Sequence, residues 1–499
     1  MVTCTDQPDP VFSNSNTRGR IARRAILLAA LCGFIYLLIV GSFCFDFKQT
    51  DYAHHILMAD AFLHGQFHIR PEVLRDKTQR IVERLAADVE EAARITGHTL
   101  TPALRRQLIE EPAAGCASSD WAVLDGKVYG YWAPLTPVLM MPFVAVFGTT
   151  VSDEVLNVLF GALNVGLFYW LLWRITQAGL LRIEESGRVA LCFLLAFGTS
   201  HFWLTCTAQV WFAVHVVTFT TLLAATLAIC AARLGIWHCL LAGLFFGAAL
   251  LGRNIVVVMG LFFIVVIWQR AAGRFRTFFI QTLVFCLPVA LAVVLQGAYN
   301  HARFGSVLNS GLEIQVSTGG LQRFHDVYQQ YGLFSLHHVP NNFLYYFLNF
   351  ELPTEPDGRI WFDREGNSLF LVTPPMIYIF WAWRRRTPFT RALFAGVLPL
   401  VVVLMLYFAT GFVQFGPRYL LDGMALLLLL VATGMQGRLT PVSYILIVLA
   451  VAANLFGTYR LCEEEFVLIT PWMRNWTLPA LVFAALLTYA LLMHRHQTR

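Results

Sequence analysis

Between Gly41 and Ile69 the chain reads GSFCFDFKQTDYAHHILMADAFLHGQFHI, which sets Asp51, His54, His55, Asp60 and His64 against the end of an apolar run. Carboxylates and imidazoles together suit proton transfer or metal ligation. Asp51–His64 reads as a helix lying along a membrane, with Ile56, Leu57, Ala61 and Phe62 on a mixed apolar face. In such a helix Asp51 and His55, four apart, share a face. Asp60, nine residues beyond Asp51, falls on the opposite side, so the two acids do not serve one site. The plain reading of Asp51 is an N-cap or a solvated acid, and that of Asp60 a solvated face or a salt bridge. A divalent metal held by Asp51, His54 and His55 stays open, although adjacent histidines diverge by about 100° on a helix. Nothing in the sequence requires a metal or another cofactor.

Cations supply the second kind of chemistry. Arg253 and Asn254 interrupt an apolar stretch, and Arg418 stands at the head of another, in TGFVQFGPRYLLDGMALLLLL. A charge at membrane depth costs about 2.5–3.5 kcal/mol on insertion scales at the helix centre, so such residues line cavities or find partners. Arg418 either pairs with Asp422, four residues on, or holds an anion with the planar fork that suits phosphate. Arg303, in YNHARFGS, is a further candidate cation; its plain reading is a loop residue.

The elements that must position these groups follow from composition. Of the 499 residues 57% are hydrophobic and 13% charged. With a mean hydropathy of +0.61 the chain reads as a polytopic, all-α membrane protein. The net charge of +6 is explained by arginines near helix ends and is no signal for nucleic acid. The first apolar stretch reads as a retained helix, not a cleaved signal. Ten cysteines occur without any C-x-x-C, against cysteine-based metal or haem sites. Cys116 and Cys462 fall in segments expected outside, where their pairing stays open.

Arginine clusters predict the sidedness. Apolar runs near 25–45, 152–173, 189–206, 209–231, 237–251, 254–269, 277–298, 369–383, 391–410, 417–435, 440–459 and 476–493 give about twelve crossings, with both termini cytoplasmic. Residues 1–24 are then a cytoplasmic tail, 25–298 a transmembrane module, 299–368 a second outer loop and 369–499 the C-terminal helices. The first outer loop is 46–150, and a small outer segment lies near 460–475. The proline-bearing run at 134–148 reads as a helix in the outer interface. Within the first outer loop, 71–95 reads as an amphipathic charged helix. Thr101-Pro102 caps another helix. Trp121–Trp132 reads as a β-hairpin turning at Asp125-Gly126.

Several stretches in this order, YAHHILMADAFLHGQ, DGKVYGYWAPLTPVLMMPFVAVFG, GLFFGAALLGRN, YNHARFGSVLNSG and QFGPRYLLDGMALLLLL, resemble the GT-C superfamily of integral-membrane glycosyltransferases. The resemblance is to its bacterial branch, related to protein O-mannosyltransferases and lipid A aminoarabinose transferases, and it spans about 25–435. It implies a polyprenyl-phosphate-linked sugar donor, a glycan, lipid or protein acceptor, and chemistry at the outer face of the plasma membrane. It also implies an acid in the first outer loop that activates the acceptor, a place Asp51 matches. From the residues themselves, Arg418, with Arg253, Lys127 or Arg303, is the candidate for holding the donor phosphate. His55, Asp60, Tyr131 and Asp422 are further site candidates. Where the family often has an Asp-Glu pair, Tyr52 follows Asp51 here; its Pro-Pro-Leu appears as Ala133-Pro134-Leu135. A lipid or polyprenyl-phosphate transporter without chemistry, or a structural subunit of an envelope complex, are the rival readings. Neither needs an outer carboxylate.

Overall fold

The computed structural model describes residues 15–41, 49–96, 100–111, 120–318, 322–354, 358 and 360–461. The run expected at 476–493, the segment from 462 to 475, and Cys116 and Cys462 lie outside the described residues.

The described chain is helical apart from one short hairpin, as an all-α membrane protein requires. In order, the elements used below are α1 (Ser15–Ile39), α2 (His54–Leu63), α3 (Pro71–Thr96), β1 (Ala122–Leu124), β2 (Lys127–Tyr129), α4 (Leu135–Phe147), α5 (Asp153–Gln177), α6 (Glu185–Phe197) and α7 (Ser200–Thr207). They continue with α8 (Val210–Ile229), α9 (Ile236–Leu250), α10 (Gly260–Ala271), α11 (Phe275–Phe304), α12 (Leu312–Thr318), α13 (Pro388–Leu406), α14 (Met424–Gly434) and α15 (Pro441–Leu461).

Seven of the helical stretches are long and apolar enough to cross a membrane, or eight if α6 and α7, bent by 48°, form one span. The expectation of twelve is not reached among the described residues. The run at 237–251 folds as α9, only 15 residues long. The run at 369–383 breaks at Pro374-Pro375 into Leu369–Val372, a 3-10 stretch Pro374–Tyr378 and Ile379–Ala382; proline lacks the N–H that would continue the first helix. The run at 417–435 opens as a 3-10 stretch, Arg418–Gly423, before α14.

Loops expected on one side do meet each other. At one end Arg24 pairs with Glu185 at 2.8 Å, Arg438 with Glu184 at 3.4 Å, and Arg270 donates to the Ala231 carbonyl at 3.2 Å. At the other end α2, the hairpin, the break at Arg253, the end of α11 and the start of the Arg418 stretch gather. Close helix contact inside the bundle rests on small residues. A Cβ on Gly243 of α9 would stand 2.3 Å from the Phe285 carbonyl oxygen of α11, and one on Gly247 3.0 Å from that of Pro288.

Local chemistry explains the outer elements. Asp125 and Gly126 have φ of 49° and 73°, the left-handed pair of a two-residue hairpin turn, and β1 pairs β2 from Ala122↔Tyr129 to Leu124↔Lys127. Thr101 caps the next helix through Leu104 N at 3.2 Å. Val73, Ile81 and Val89 form the buried stripe of α3. The helix expected from Asp51 begins instead at His54. Thr50 is held in extended chain by Asp153, whose Oδ1 accepts its N–H at 2.9 Å, so Asp51 precedes the helix and shares no face with His55.

Candidate anion-binding site

Three consecutive residues at the start of α8 bring the polar groups together. Val210 N donates to the Tyr52 carbonyl at 3.2 Å, the Trp211 indole lies close enough to the Asp120 carboxylate to hold its pKa down, and the Phe212 ring lies 5.3 Å from the Arg418 guanidinium. Asp120 also accepts from Gln315 Nε2 at 2.9 Å.

Beneath them lies a buried charge cluster. Arg253 Nε donates to Asp422 Oδ2 at 2.8 Å, and His215 Nδ1 stands 3.5 Å from Asp422 Oδ1. Asp422 is 1% exposed. Both guanidiniums lie near the Tyr419 ring, that of Arg253 at 5.0 Å and that of Arg418 at 5.3 Å. The Tyr407 ring meets Tyr419 edge-on at 5.8 Å.

Arg418 differs from Arg253. It is 7% exposed, yet no carboxylate among the described residues forms an ion pair with it. Its Nη1 donates to the Phe412 carbonyl at 3.3 Å, and its Nε meets no acceptor among the described residues. Of the two readings of Arg418, the pairing with Asp422 is therefore absent, and the reason is geometric. Residues 418–423 wind as a 3-10 helix, three residues per turn, so positions four apart diverge by about 120°. Asp422 thereby faces Arg253.

The other candidates have separate engagements. Asp51 is ion-paired with Arg84 of α3. Asp60 is gripped by Arg70 through both oxygens, at 2.8 and 2.9 Å, closing the turn between α2 and α3. His55 Nε2 lies 3.1 Å from the Val210 carbonyl, which makes that nitrogen the donor; burial pulls the ring's pKa down to about 4, so it stays neutral. His54 stacks on Trp121 at 3.9 Å, and the three proposed metal ligands do not converge. Arg303 is no loop residue. It ends α11, lies 3.7 Å over the Tyr299 ring and donates to the Gly130 carbonyl and to Asn300 Oδ1, which ties the strand leading to α4 onto α11. Lys127 is exposed beside the hairpin turn, on a groove it shares with His68, Arg75 and Gln79. Tyr131 stacks on Trp132 at 4.2 Å within the electrostatic reach of Asp120 and Arg418; burial holds its phenol well above the usual pKa, so it remains a neutral donor.

Of the sequence candidates, the structure gathers Arg253, Arg418, Asp422 and Tyr131. It adds Asp120, His215, Trp211, Gln315 and Tyr419. A signal for His215 existed, since an ionisable residue inside VWFAVHVVTFTTLL is by itself a site candidate. Asp120 stands alone before a hairpin and carries no pattern.

The crystal structure of the oligosaccharyltransferase of Archaeoglobus fulgidus in its apo form aligns at 12% sequence identity with a TM-score of 0.45, over 89% of this chain and 55% of that one. The present chain thus spans about half the length of that protein. No protein-family model matches the sequence, and no curated protein matches it either.

Proposed function

We propose that the protein is a membrane glycosyltransferase that moves a sugar from a polyprenyl-phosphate-linked donor to an acceptor hydroxyl at the membrane surface. The observation that carries this reading is the Arg418 guanidinium, buried among aromatic rings without a counter-carboxylate. A buried cation in that state calls for an anion. A guanidinium offers the planar fork that two phosphate oxygens accept, which suits a lipid phosphate as that anion. Arg253 is already neutralised by Asp422, so it contributes field and shape, not the primary contact.

In the reaction the acceptor oxygen attacks the anomeric carbon while the bond from that carbon to the phosphate oxygen breaks. The electron pair stays on the phosphate, where Arg418 stabilises it. The acceptor's proton passes to a carboxylate of the first outer segment. Asp51, the residue given that role by the sequence resemblance, and Asp120 both border the site, Asp51 through Tyr52, whose ring lies 4.7 Å from that of Trp211.

The test uses the full chain in lipid nanodiscs. Polyprenyl phosphate binding is measured by calorimetry, and release of labelled sugar is measured from a panel of polyprenyl-phosphate-linked hexoses. Binding together with sugar release supports the reading. Binding without release from any donor would leave the transporter reading in its place, and no binding would refute both.

A further inference from the structure

The first outer segment offers three acids, Asp51, Asp60 and Asp120, and they are held differently. Asp51 and Asp60 are each clasped by a guanidinium, those of Arg84 and Arg70. Among the described residues Asp120 has no ion pair: its carboxylate accepts from the Gln315 amide at 2.9 Å, with the Trp211 indole nearby. Its backbone is left-handed, with φ of 61°. An aspartate tolerates that region better than most residues, yet it still stores strain of the kind that clusters at working sites.

We propose that Asp120 is the catalytic base of the sugar transfer, and that the acceptor hydroxyl binds where the Gln315 amide now donates. This rests on the reading of Arg418 as the donor-phosphate anchor. The exchange is even in hydrogen bonds, since the incoming O–H replaces the N–H on the same carboxylate oxygen. Gln315 belongs to α12, in the segment after α11, so the acceptor enters where the two outer segments meet.

The step balances. The acceptor O–H bond breaks and its proton goes to an Asp120 oxygen. The acceptor oxygen bonds the anomeric carbon, and the leaving phosphate keeps the electron pair and gains a charge. Asp120 then releases the proton to water. Its position near Arg418 gives this order a second effect. Protonation removes a negative charge from Arg418's surroundings as the phosphate acquires one, so the arginine's field is turned toward the leaving group when it is needed.

The protonation state fits the role. Burial pushes the Asp120 carboxyl up to about 6, against the opposing effects of the nearby Trp211 indole and the Arg418 charge. Of the groups facing it, Arg418 is the cation, Tyr131 stays a neutral phenol, and Gln315 and Trp211 do not titrate. The base is ionised at pH 7 and basic enough to accept a proton in the transition state.

The experiment compares Asp120→Asn, Asp120→Glu and Asp51→Asn in the full chain in nanodiscs, with polyprenyl phosphate as the binding probe and labelled polyprenyl-phosphate hexoses as donors. Asp120→Asn is expected to lower sugar release about 100-fold or more, the scale of general-base catalysis, with polyprenyl phosphate affinity within threefold of the parent. Asp120→Glu should recover part of the rate. The parent's loss of rate below about pH 6 should vanish from the residual rate of Asp120→Asn. The proposal is overturned if Asp120→Asn keeps its rate within threefold, if Asp51→Asn alone removes the acid limb, or if Asp120→Asn loses rate and phosphate affinity together, which marks mere support of Arg418. A parent protein that fails to bind polyprenyl phosphate overturns the anchor reading first, and a parent that binds but releases no sugar overturns the transfer.

Discussion

Replacing Arg418 by glutamine tests the anchor most directly. The side chain carries five N–H donors, of which one reaches the Phe412 carbonyl at a long 3.3 Å. The rest include the Nε that meets no acceptor among the described residues. A hydrogen bond to a charged group is worth about 1.5–3 kcal/mol, so losing the charged fork should weaken polyprenyl phosphate binding roughly 10- to 150-fold, at about 1.4 kcal/mol per factor of ten. Arg418→Lys keeps the charge and loses the fork, so its loss should be smaller but still measurable. Calorimetric titration of the full chain in nanodiscs supplies the dissociation constants, with Arg303→Gln beside it as the comparison. The Arg303 guanidinium already donates to Gly130 and Asn300, so its removal should disturb stability more than phosphate affinity. Unchanged affinity in Arg418→Gln, or an equal loss in Arg303→Gln, would refute the reasoning.

Asp422→Asn should destabilise the fold by about 3 kcal/mol, the lower range for breaking a buried pair, because Arg253 loses its partner at 2.8 Å; an unchanged thermal midpoint would count against that pair. Lys77 gives a pH dependence. It is 4% exposed, donates to the Thr50 carbonyl at 2.8 Å, and burial lowers its pKa to about 8. Below pH 8 it is charged in both states. Between about 8 and its ordinary 10.5 the unfolded chain binds the extra proton, so this residue makes stability rise with pH across that window. Thermal melts of the parent and Lys77→Met should differ in slope there and nowhere else. Gly243→Leu should abolish the monodisperse fold in size-exclusion profiles, since even its Cβ would stand 2.3 Å from the Phe285 carbonyl oxygen.

What was legible in the sequence was local. The hairpin follows from Asp125-Gly126, the capped turn from Thr101-Pro102, and the interruption at Arg253 from two short apolar halves. Apolar runs announce helices, but not whether each crosses a membrane, because Pro374-Pro375 or a 3-10 entry shortens a span without altering its hydropathy. Pairings set by distant chain were hidden. Asp153 fixes Thr50 and moves the start of α2, and Arg253 takes Asp422 from Arg418 across 169 positions. Asp120 was invisible for the same reason. Its neighbours, Trp211 and Gln315, come from two other parts of the chain, and no spacing rule links them.

The shortness of α9 has a consequence for the lipid around it. Fifteen helical residues rise about 22 Å, against a hydrocarbon layer of ~30 Å. The helix ends just before Arg253, so the bilayer must thin beside the cluster, or water and headgroups must descend to it. On the proposed reading, either adjustment would bring the phosphate of a bound lipid toward Arg418 while its tail stays among the acyl chains. The protein shapes a dimple at its own entrance, and thicker membranes would hold the headgroup farther from the arginine at a growing elastic cost.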